Sequence, residues 1–228
     1  AGRCWGAAWG DYDNDGLPDL FVSNWNGSFV GTNYLYHNLG GGVFERVLDS
    51  PVVAEQGWWT SCNWGDYDND GYLDLFVAAV GDNALYHNEG NGTFTRVTTG
   101  SPVHDGGVSI GCVWLDYDND GFLDLFVCND WESIGSWAGP RHNFLYRNGG
   151  NANHWITFRL VGTASCRDAI GAKVRVQANI RGATVWQTRE LSCGEAYSGN
   201  QLLAHFGLGD ATNVALVRIE WPSRNVQE

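Results

Sequence analysis

Short apolar runs rich in β-branched and aromatic residues recur along residues 1–152, separated by turns rich in Gly, Asn and Asp. Runs of this length and composition are typical of β-strands. The pattern occurs three times, with its runs in the same order each time. In the second occurrence the predicted strands lie at 59–64, 74–78, 83–87 and 93–97.

These three occurrences form a repeat, since an acidic loop begins at the same point of each, 55 and then 50 residues apart. A unit of four short strands at this period is typical of a β-propeller blade, which needs neighbours to bury both of its faces. We therefore predict an all-β fold with three four-stranded propeller-type blades, at about 1–50, 51–100 and 101–152.

The last part of the chain breaks this pattern. Alternating apolar runs continue, but the acidic loop does not recur. We predict a separate small β domain at 153–228, with a turn at 207–210. The apolar residue Val226 indicates a further strand that continues past the printed sequence, and the absence of Met indicates that residues precede it.

Each acidic loop has carboxylates at positions 1, 3, 5 and 9 and glycine at position 6. Alternate side chains of a tight loop converge, and with the carbonyl of position 7 they provide the oxygen shell that Ca²⁺ prefers. Without a cation, four carboxylates so close together would repel each other. The predicted ligands of three Ca²⁺ sites are Asp11, Asp13, Asp15, Leu17, Asp19, Asp66, Asp68, Asp70, Tyr72, Asp74, Asp116, Asp118, Asp120, Phe122 and Asp124.

Two other kinds of loop share part of this pattern. An EF-hand needs an acidic residue at position 12 and flanking helices, whereas position 12 is Val22, Val77 and Val127, within a strand-like Asp-Leu-Phe-Val run. An acidic surface turn held by Asx-type hydrogen bonds would need no ion. Because all three copies keep the same four carboxylates, we favour Ca²⁺.

Composition and charge limit the kinds of partner that the chain could bind. The net charge is −13, and the loops hold 12 of the 26 acidic residues, so much of the acidity serves the predicted metal sites. The sequence contains no run of Lys and Arg, which argues against binding to nucleic acid or to an anionic membrane. No apolar segment is long enough to span a membrane as a helix.

The six cysteines show neither CxxC pairs nor zinc-ligand spacing. An even number of cysteines beside calcium loops favours an extracellular location, secreted or on the cell surface. For Cys4 and Cys128 the alternative of a buried free thiol that packs as a small apolar side chain stays open. The candidate disulfides are Cys166–Cys193 and Cys62–Cys112, and the candidate glycosylation sites are Asn26 and Asn91.

The repeats differ in length mainly between their second and third strands. Repeat one inserts 23–32 and repeat three inserts 129–142, and such insertions lie on one face that often binds a partner. Alternatively, their aromatic residues pack the loops themselves. The candidate ligand-binding residues are Trp25, Trp131, Trp137 and Arg141.

Two further positions recur in every repeat. The tryptophan before each acidic loop is predicted to be buried in the core, and the third strand carries His37, His87 and Arg147 at equivalent places. A histidine that repeats with the architecture is more often structural than catalytic. We find no nucleophile elbow, zincin helix or His-rich metal site and predict no enzyme activity. The three core tryptophans are Trp9, Trp64 and Trp114.

Both parts of the chain resemble known families. The acidic loops with their Leu-Tyr-His/Arg-Asn hairpins resemble FG-GAP/VCBS-type repeats, as in the integrin α-subunit propeller. The combination with the C-terminal motifs is similar to the cartilage acidic protein family and its secreted bacterial relatives, and it implies a calcium-binding propeller followed by an ASPIC/UnbV module. The motifs that resemble ASPIC/UnbV are Asn153-His154-Trp155, Gly171-Ala-Lys173, His205-Phe-Gly-Leu-Gly209 and Glu220-Trp-Pro222.

Propellers of the family that the chain resembles usually have about seven blades, and a closed ring needs at least four. Three blades therefore predict either further blades in a longer chain or open edges that pair with another copy. We expect a non-enzymatic extracellular module that binds a protein or glycan in adhesion. Alternatives are a self-assembling subunit of a fibre or matrix, joined head to tail or as a filament, and a polysaccharide-active enzyme.

Overall fold

The computed structural model describes residues 3–25, 31–130, 142–194 and 201–228. With 51% of its residues in strands and 3% in helices, the chain is all-β, as predicted. Among the described residues, no helix combines the length and apolarity needed to cross a membrane.

The first two repeats each fold into a four-stranded antiparallel sheet. Repeat one contains β1 (Arg3–Gly10), β2 (Asp19–Trp25), β3 (Gly31–Thr32), β4 (Tyr34–Asn38) and β5 (Phe44–Val47), followed by one helical turn, α1 (Pro51–Ala54). Repeat two contains β6 (Gln56–Gly57), β7 (Trp59–Gly65), β8 (Asp74–Ala79), β9 (Ala84–Asn88) and β10 (Phe94–Val97), followed by a 3₁₀ turn at Ser101–Val103. Blade one has the strand order β1-β2-β4-β5 and blade two β7-β8-β9-β10, while β3 pairs with β6 between them.

Blade three has three strands among the described residues, one fewer than predicted. They are β11 (Ser109–Leu115), β12 (Asp124–Asn129) and β13 (Phe144–Tyr146). Among the described residues no strand of this sheet follows β13, and the next strand, β14 (His154–Phe158), pairs instead with a strand near the end of the chain.

Residues 154–228, here named the C-terminal unit, form two further antiparallel sheets. The unit adds β15 (Lys173–Ile180), β16 (Ala183–Glu190), β17 (Ala204–Gly209), β18 (Val214–Glu220) and β19 (Val226–Gln227). Strand β14 pairs with β17, and the second sheet has the order β16-β15-β18-β19. Val174, Val176 and Phe206 lie in the core between them, fully buried. Strand β17 continues through Gly209, so the turn predicted at 207–210 begins later than expected.

Successive blades are joined by a tryptophan. Trp64 of blade two donates its indole N–H to the Ala8 carbonyl at 3.3 Å and stacks on Tyr12, with the ring centroids 6.1 Å apart. A Cβ at Gly10 would lie 2.7 Å from the Trp64 ring, so the blades approach this closely only because residue 10 is glycine. Trp114 packs on blade two in the same way.

Trp9, the equivalent tryptophan of blade one, is 50% exposed, whereas Trp64 and Trp114 are 8% exposed. The prediction that all three are buried is therefore wrong for Trp9. The reason is that no described strand packs against this side of blade one. Its ring contacts Phe44, which is 41% exposed.

No disulfide forms among the described residues, and the predicted pairs Cys166–Cys193 and Cys62–Cys112 are not confirmed. Cys62 packs in the core between blades one and two, and Cys112 in the core between blades two and three. These equivalent side chains of successive blades thus belong to separate core layers. The two cysteines paired by prediction in the C-terminal unit are both exposed. Of the two expected buried thiols, Cys4 is exposed and Cys128 half-buried.

Candidate metal centre

Each acidic loop is a tight turn whose shape follows from two of its residues. The fourth is asparagine, with φ of 60°, 59° and 59° in the three loops, and the sixth is glycine, with φ of 90°, 97° and 88°. These backbone angles are in the left-handed region, which glycine adopts freely and asparagine tolerates. The chain therefore reverses within a few residues, which brings the alternate carboxylates to one side.

The structure brings the predicted acidic residues together in all three loops. We name them loop one (11–19), loop two (66–74) and loop three (116–124). Carboxylate oxygens of three residues lie within 4.8 Å of one another in each, which fits a cation that prefers oxygen ligands. The groups are Asp11-Asp13-Asp15, Asp66-Asp68-Asp70 and Asp116-Asp118-Asp124, and in the first two loops the position-9 carboxylate also joins a histidine, as Asp13-Asp19-His37 and Asp68-Asp74-His87.

Backbone hydrogen bonds hold these carboxylates in place. In loop two, Asp66 accepts the Gly71 N–H at 2.9 Å, and Asp74 accepts the N–H groups of Tyr67 at 3.1 Å and Asn88 at 2.9 Å. Position 7 donates its N–H to the position-5 carboxylate in every loop, at 2.7, 3.0 and 3.0 Å. The carbonyl of position 7 stays a predicted ligand. The residues at position 7 are Leu17, Tyr72 and Phe122.

Electrostatics disfavour the metal-free form of these loops. Burial raises the pKa of Asp70 to about 6 and of Asp74 to about 7, and in loop one that of Asp11 to about 6 and Asp19 to about 7. Burial, followed by the charge of Asp74, raises the pKa of Asp66 well above its ordinary value. A divalent cation at the centre would offset both the lost hydration and the mutual repulsion.

The C-terminal unit sits directly on loop two. The Gly207 N–H donates to Asp66 at 3.2 Å, and the Gly209 N–H donates to the Asn69 carbonyl at 2.8 Å. His205 Nε2 donates to the Asn69 side-chain oxygen at 2.7 Å, and burial lowers the pKa of His205 to about 3, so its ring is neutral. A Cβ on Gly207 would overlap Asp66 and the Asn69 backbone. Loop two is therefore an interdomain joint.

Two arginines of the C-terminal unit add positive charge beside the loops. Arg181 lies 3.7 Å from Asp70. Burial lowers the pKa of Arg189, while the charges of Asp66 and Asp11 oppose that shift. The sequence reasoning missed these contacts. The sequence feature nearest to these contacts is the His205–Gly209 motif. It indicates a resemblance to a family but does not indicate which residues the motif contacts.

The residues predicted to bind a ligand are not part of the metal loops. Trp25 is half-buried and packs on Trp5, with ring centroids 4.9 Å apart, and on Trp58, at 6.3 Å, which supports the alternative that it packs its own loop. Asn91 is exposed and accepts the Thr93 hydroxyl at 2.6 Å, and its glycosylation stays a prediction. Trp131, Trp137, Arg141 and Asn26 lie outside the described residues.

A cavity of about 520 Å³ opens between the first strands of the three blades and the C-terminal unit. Its aromatic lining includes Trp9, and its polar lining includes Asn63, Arg189 and Gln201. The Gln201 side chain donates to the Trp114 carbonyl at 3.2 Å, which ties the C-terminal unit to blade three at the cavity wall.

Comparison with protein families agrees with this architecture. A model described as FG-GAP-like repeat matches residues 11–77 and 66–127. A model described as ASPIC and UnbV matches residues 162–228. No curated protein matches the chain. The repeat matches together span just over half of the sequence and contain all three acidic loops. The chain belongs to the FG-GAP-like repeat family and carries a C-terminal ASPIC and UnbV domain.

Proposed function

We propose that this chain is a non-enzymatic extracellular module that Ca²⁺ stabilises and that binds a protein or a glycan. The observation that carries the proposal is loop two, where Asp66, Asp70 and Asp74 are 1%, 2% and 0% exposed and belong to two groups of converging ligand atoms that share Asp68. Buried carboxylates persist in proteins when a cation or hydrogen bonds compensate their charge. Bound Ca²⁺ would supply two positive charges and accept six to eight oxygen ligands.

Fixed hydrogen bonds prepare the loops for an ion. The position-9 carboxylate of each loop accepts two backbone N–H groups, so it is already held on the inner side of the turn. Asn14 donates its side-chain amide to Gly71 at 3.0 Å, and Asn69 donates to Gly121 at 2.9 Å. Loops one and two therefore each support the loop of the next blade, and an ion in one loop would stabilise its neighbour as well.

Loop two would also make the domain arrangement depend on calcium. Asp66 is both a predicted metal ligand and the acceptor of the Gly207 N–H. An ion that fixes Asp66 would fix this acceptor, whereas an unbalanced charge at Asp66 would weaken the joint. We propose that Ca²⁺ stabilises the blades and the docking of the C-terminal unit together.

The cavity beside the joint is the proposed ligand site. Exposed Trp9 offers an aromatic face, and the polar residues Asn63, Arg189 and Gln201 form part of the same lining, a combination that suits sugars and polar peptides. Asp11 and Asp66 also line the cavity, but hydrogen bonds commit them to the metal loops. That commitment favours binding over acid–base catalysis. FG-GAP repeat families are typically extracellular, in keeping with the proposed location.

A glycan array probed with the intact chain in Ca²⁺ tests this proposal, alongside hydrolysis assays on the same sugars. We expect binding without cleavage, weakened about tenfold by Trp9→Ala, since aromatic anchors often contribute this much. Trp5→Ala, at the other end of strand β1, is the matched control and should bind normally. Release of reducing sugar, or equal loss in both variants, would contradict the proposal.

A second candidate, a self-assembling structural subunit, is favoured by the exposed face of Trp9 and Phe44 on blade one. In blades one and two, Gly10 and Gly65 leave room for the tryptophan of the following blade. Blade three has Leu115 at the equivalent position, so a second copy cannot pack on blade three in the way that successive blades pack on each other. Light scattering over a range of concentrations decides the matter. Oligomers that Trp9→Ala abolishes would support assembly, and a monomer at every concentration would reject it.

A further inference from the structure

One repeat position separates loop three from the other two loops. His37 Nδ1 lies 3.2 Å from both Asp13 and Asp19 in loop one. In loop two, His87 Nδ1 takes the same place, 3.6 Å from Asp68 and 3.1 Å from Asp74. Blade three has Arg147 at this position, so an imidazole is replaced by a longer, permanently charged guanidinium that can contact two carboxylates at once.

Arg147 lies across the carboxylates of loop three. Its Nε donates to Asp118 at 2.6 Å, and one terminal nitrogen lies 3.4 Å from Asp120. These are positions 3 and 5 of the predicted metal site. In loops one and two the position-5 carboxylate converges with positions 1 and 3, whereas in loop three the converging group is Asp116, Asp118 and Asp124. Arg147 therefore contacts one member of the converging group, Asp118, and also Asp120, the carboxylate that is missing from that group.

The surroundings leave this arginine free to move. Its side chain is 61% exposed, and neighbouring Tyr117 is 43% exposed. An exposed arginine–carboxylate pair is held only weakly, because water competes for both partners. Arg147 can therefore turn into solvent when a stronger cation enters the loop, at a cost to that cation's affinity.

We propose that Arg147 is a resident cation of loop three that competes with Ca²⁺, so that the chain has two tighter calcium sites and one weaker site. The inference rests on the proposed function, in which all three loops bind Ca²⁺. A positive charge held a few ångströms from a bound dication near the surface weakens binding by about tenfold. Because of this difference in affinity, blade three would be the first to lose its ion when the Ca²⁺ concentration falls.

Isothermal titration of the intact, metal-free chain with Ca²⁺ tests this difference in affinity. We expect two sites to fill first and a third to bind about tenfold more weakly. Arg147→Gln removes the charge and should bring the third site to within about twofold of the others. Arg147→Lys keeps a positive charge and should leave it weak. Arg159→Gln, an exposed arginine of the C-terminal unit, is the matched control and should change nothing.

A loop-three variant assigns the weak site. Asp118→Asn should abolish the weak phase and preserve the two tighter ones, since Asp118 lies on the exposed loop. Three equal sites in the natural chain, a weak phase that survives Asp118→Asn, or no effect of Arg147→Gln would each overturn this inference while leaving calcium binding intact. Absence of any Ca²⁺ binding would instead overturn the proposed function itself.

Discussion

Loop two and loop three have the same four carboxylates, the same asparagine turn and the same glycine, but loop two is buried more deeply than loop three. Across loop two lies strand β17, which buries Asp66 and Asn69. Loop three carries exposed Asp118 and Asn119, and its added charge comes from Arg147 within its own blade. The comparison teaches that the motif defines the geometry, while the packing of distant residues decides how much stability each copy contributes.

The largest expected effect is a pH dependence that appears when calcium is chelated. Asp70 and Asp74 have folded-state pKa values raised to about 6 and about 7 from an ordinary 3.8. Groups with raised pKa stabilise the fold below the unfolded value and lose that contribution as pH rises through the folded value. His87, raised to about 9 mainly by its hydrogen bond to Asp74, acts in the same direction.

The unfolding midpoint in chelator should therefore fall by about 10 °C between pH 5 and 7.5, if several kcal/mol are lost. His205, with a pKa lowered to about 3, opposes this trend below pH 6.5 but is one group against several. Saturating Ca²⁺ should suppress the fall. Calorimetry across this range checks it, and a midpoint that rises with pH in chelator would be the contrary result.

Replacement of the first carboxylate should distinguish the two loops directly. Asp66→Ala leaves the N–H groups of Gly71, Asp70 and Gly207 without their acceptor in a buried site, at about 3 kcal/mol or more. Asp116→Ala removes the acceptor of two N–H groups at a half-buried position and should cost less, about 1 kcal/mol. Urea unfolding in saturating Ca²⁺ measures both. Equal losses would show that burial does not separate the loops.

The joint itself can be broken from the other side. Gly207→Ala places a methyl group against Asp66 and the Asn69 backbone, which should cost about 2 kcal/mol and loosen the C-terminal unit. Gly149→Ala, in blade three, meets nothing within 4 Å and should change stability by less than about 0.5 kcal/mol. Urea unfolding measures the loss of stability, and limited proteolysis measures the loosening. If Gly207→Ala is as stable as Gly149→Ala, the contact between Gly207 and loop two does not hold the C-terminal unit in place.

The smallest expected difference concerns the asparagine turn. Asn69→Ala and Asn119→Ala both place alanine at φ of 59°, so the backbone strain is the same in each and cancels in the comparison. Asn69→Ala also loses the hydrogen bonds to Gly121 and His205. It should therefore be about 1 kcal/mol less stable than Asn119→Ala. Equal stabilities would mean that these bonds contribute nothing net.

Sequence was sufficient for features that depend on neighbouring residues. The spacing of Asp66, Asp68, Asp70 and Asp74 predicts a converging loop because a tight turn aligns alternate side chains, and the structure brings these carboxylates together. The strands around them follow from local composition. Trp64 and Trp114 are buried as predicted, because each has a preceding blade to pack on.

Features that depend on distant residues were not predictable from the sequence. Gly207 and Asp66 are 141 positions apart, and no local pattern indicates that they meet. Trp9 is exposed because no described strand packs against its side of blade one, and the residues next to it in sequence do not indicate this. Likewise, Cys62 and Cys112 occupy equivalent positions, but only the stacking of blades shows that they enter different layers.

The central claim is that the acidic loops are calcium clamps that hold the blades and the C-terminal unit together. Its most direct test is thermal unfolding of the intact chain near neutral pH, in saturating Ca²⁺ and in excess chelator with Mg²⁺ present. Because Ca²⁺ would bind the folded state and not the unfolded state, we expect the midpoint of thermal unfolding to be about 5 °C or more lower in chelator. Superimposable unfolding curves in the two conditions would contradict the account.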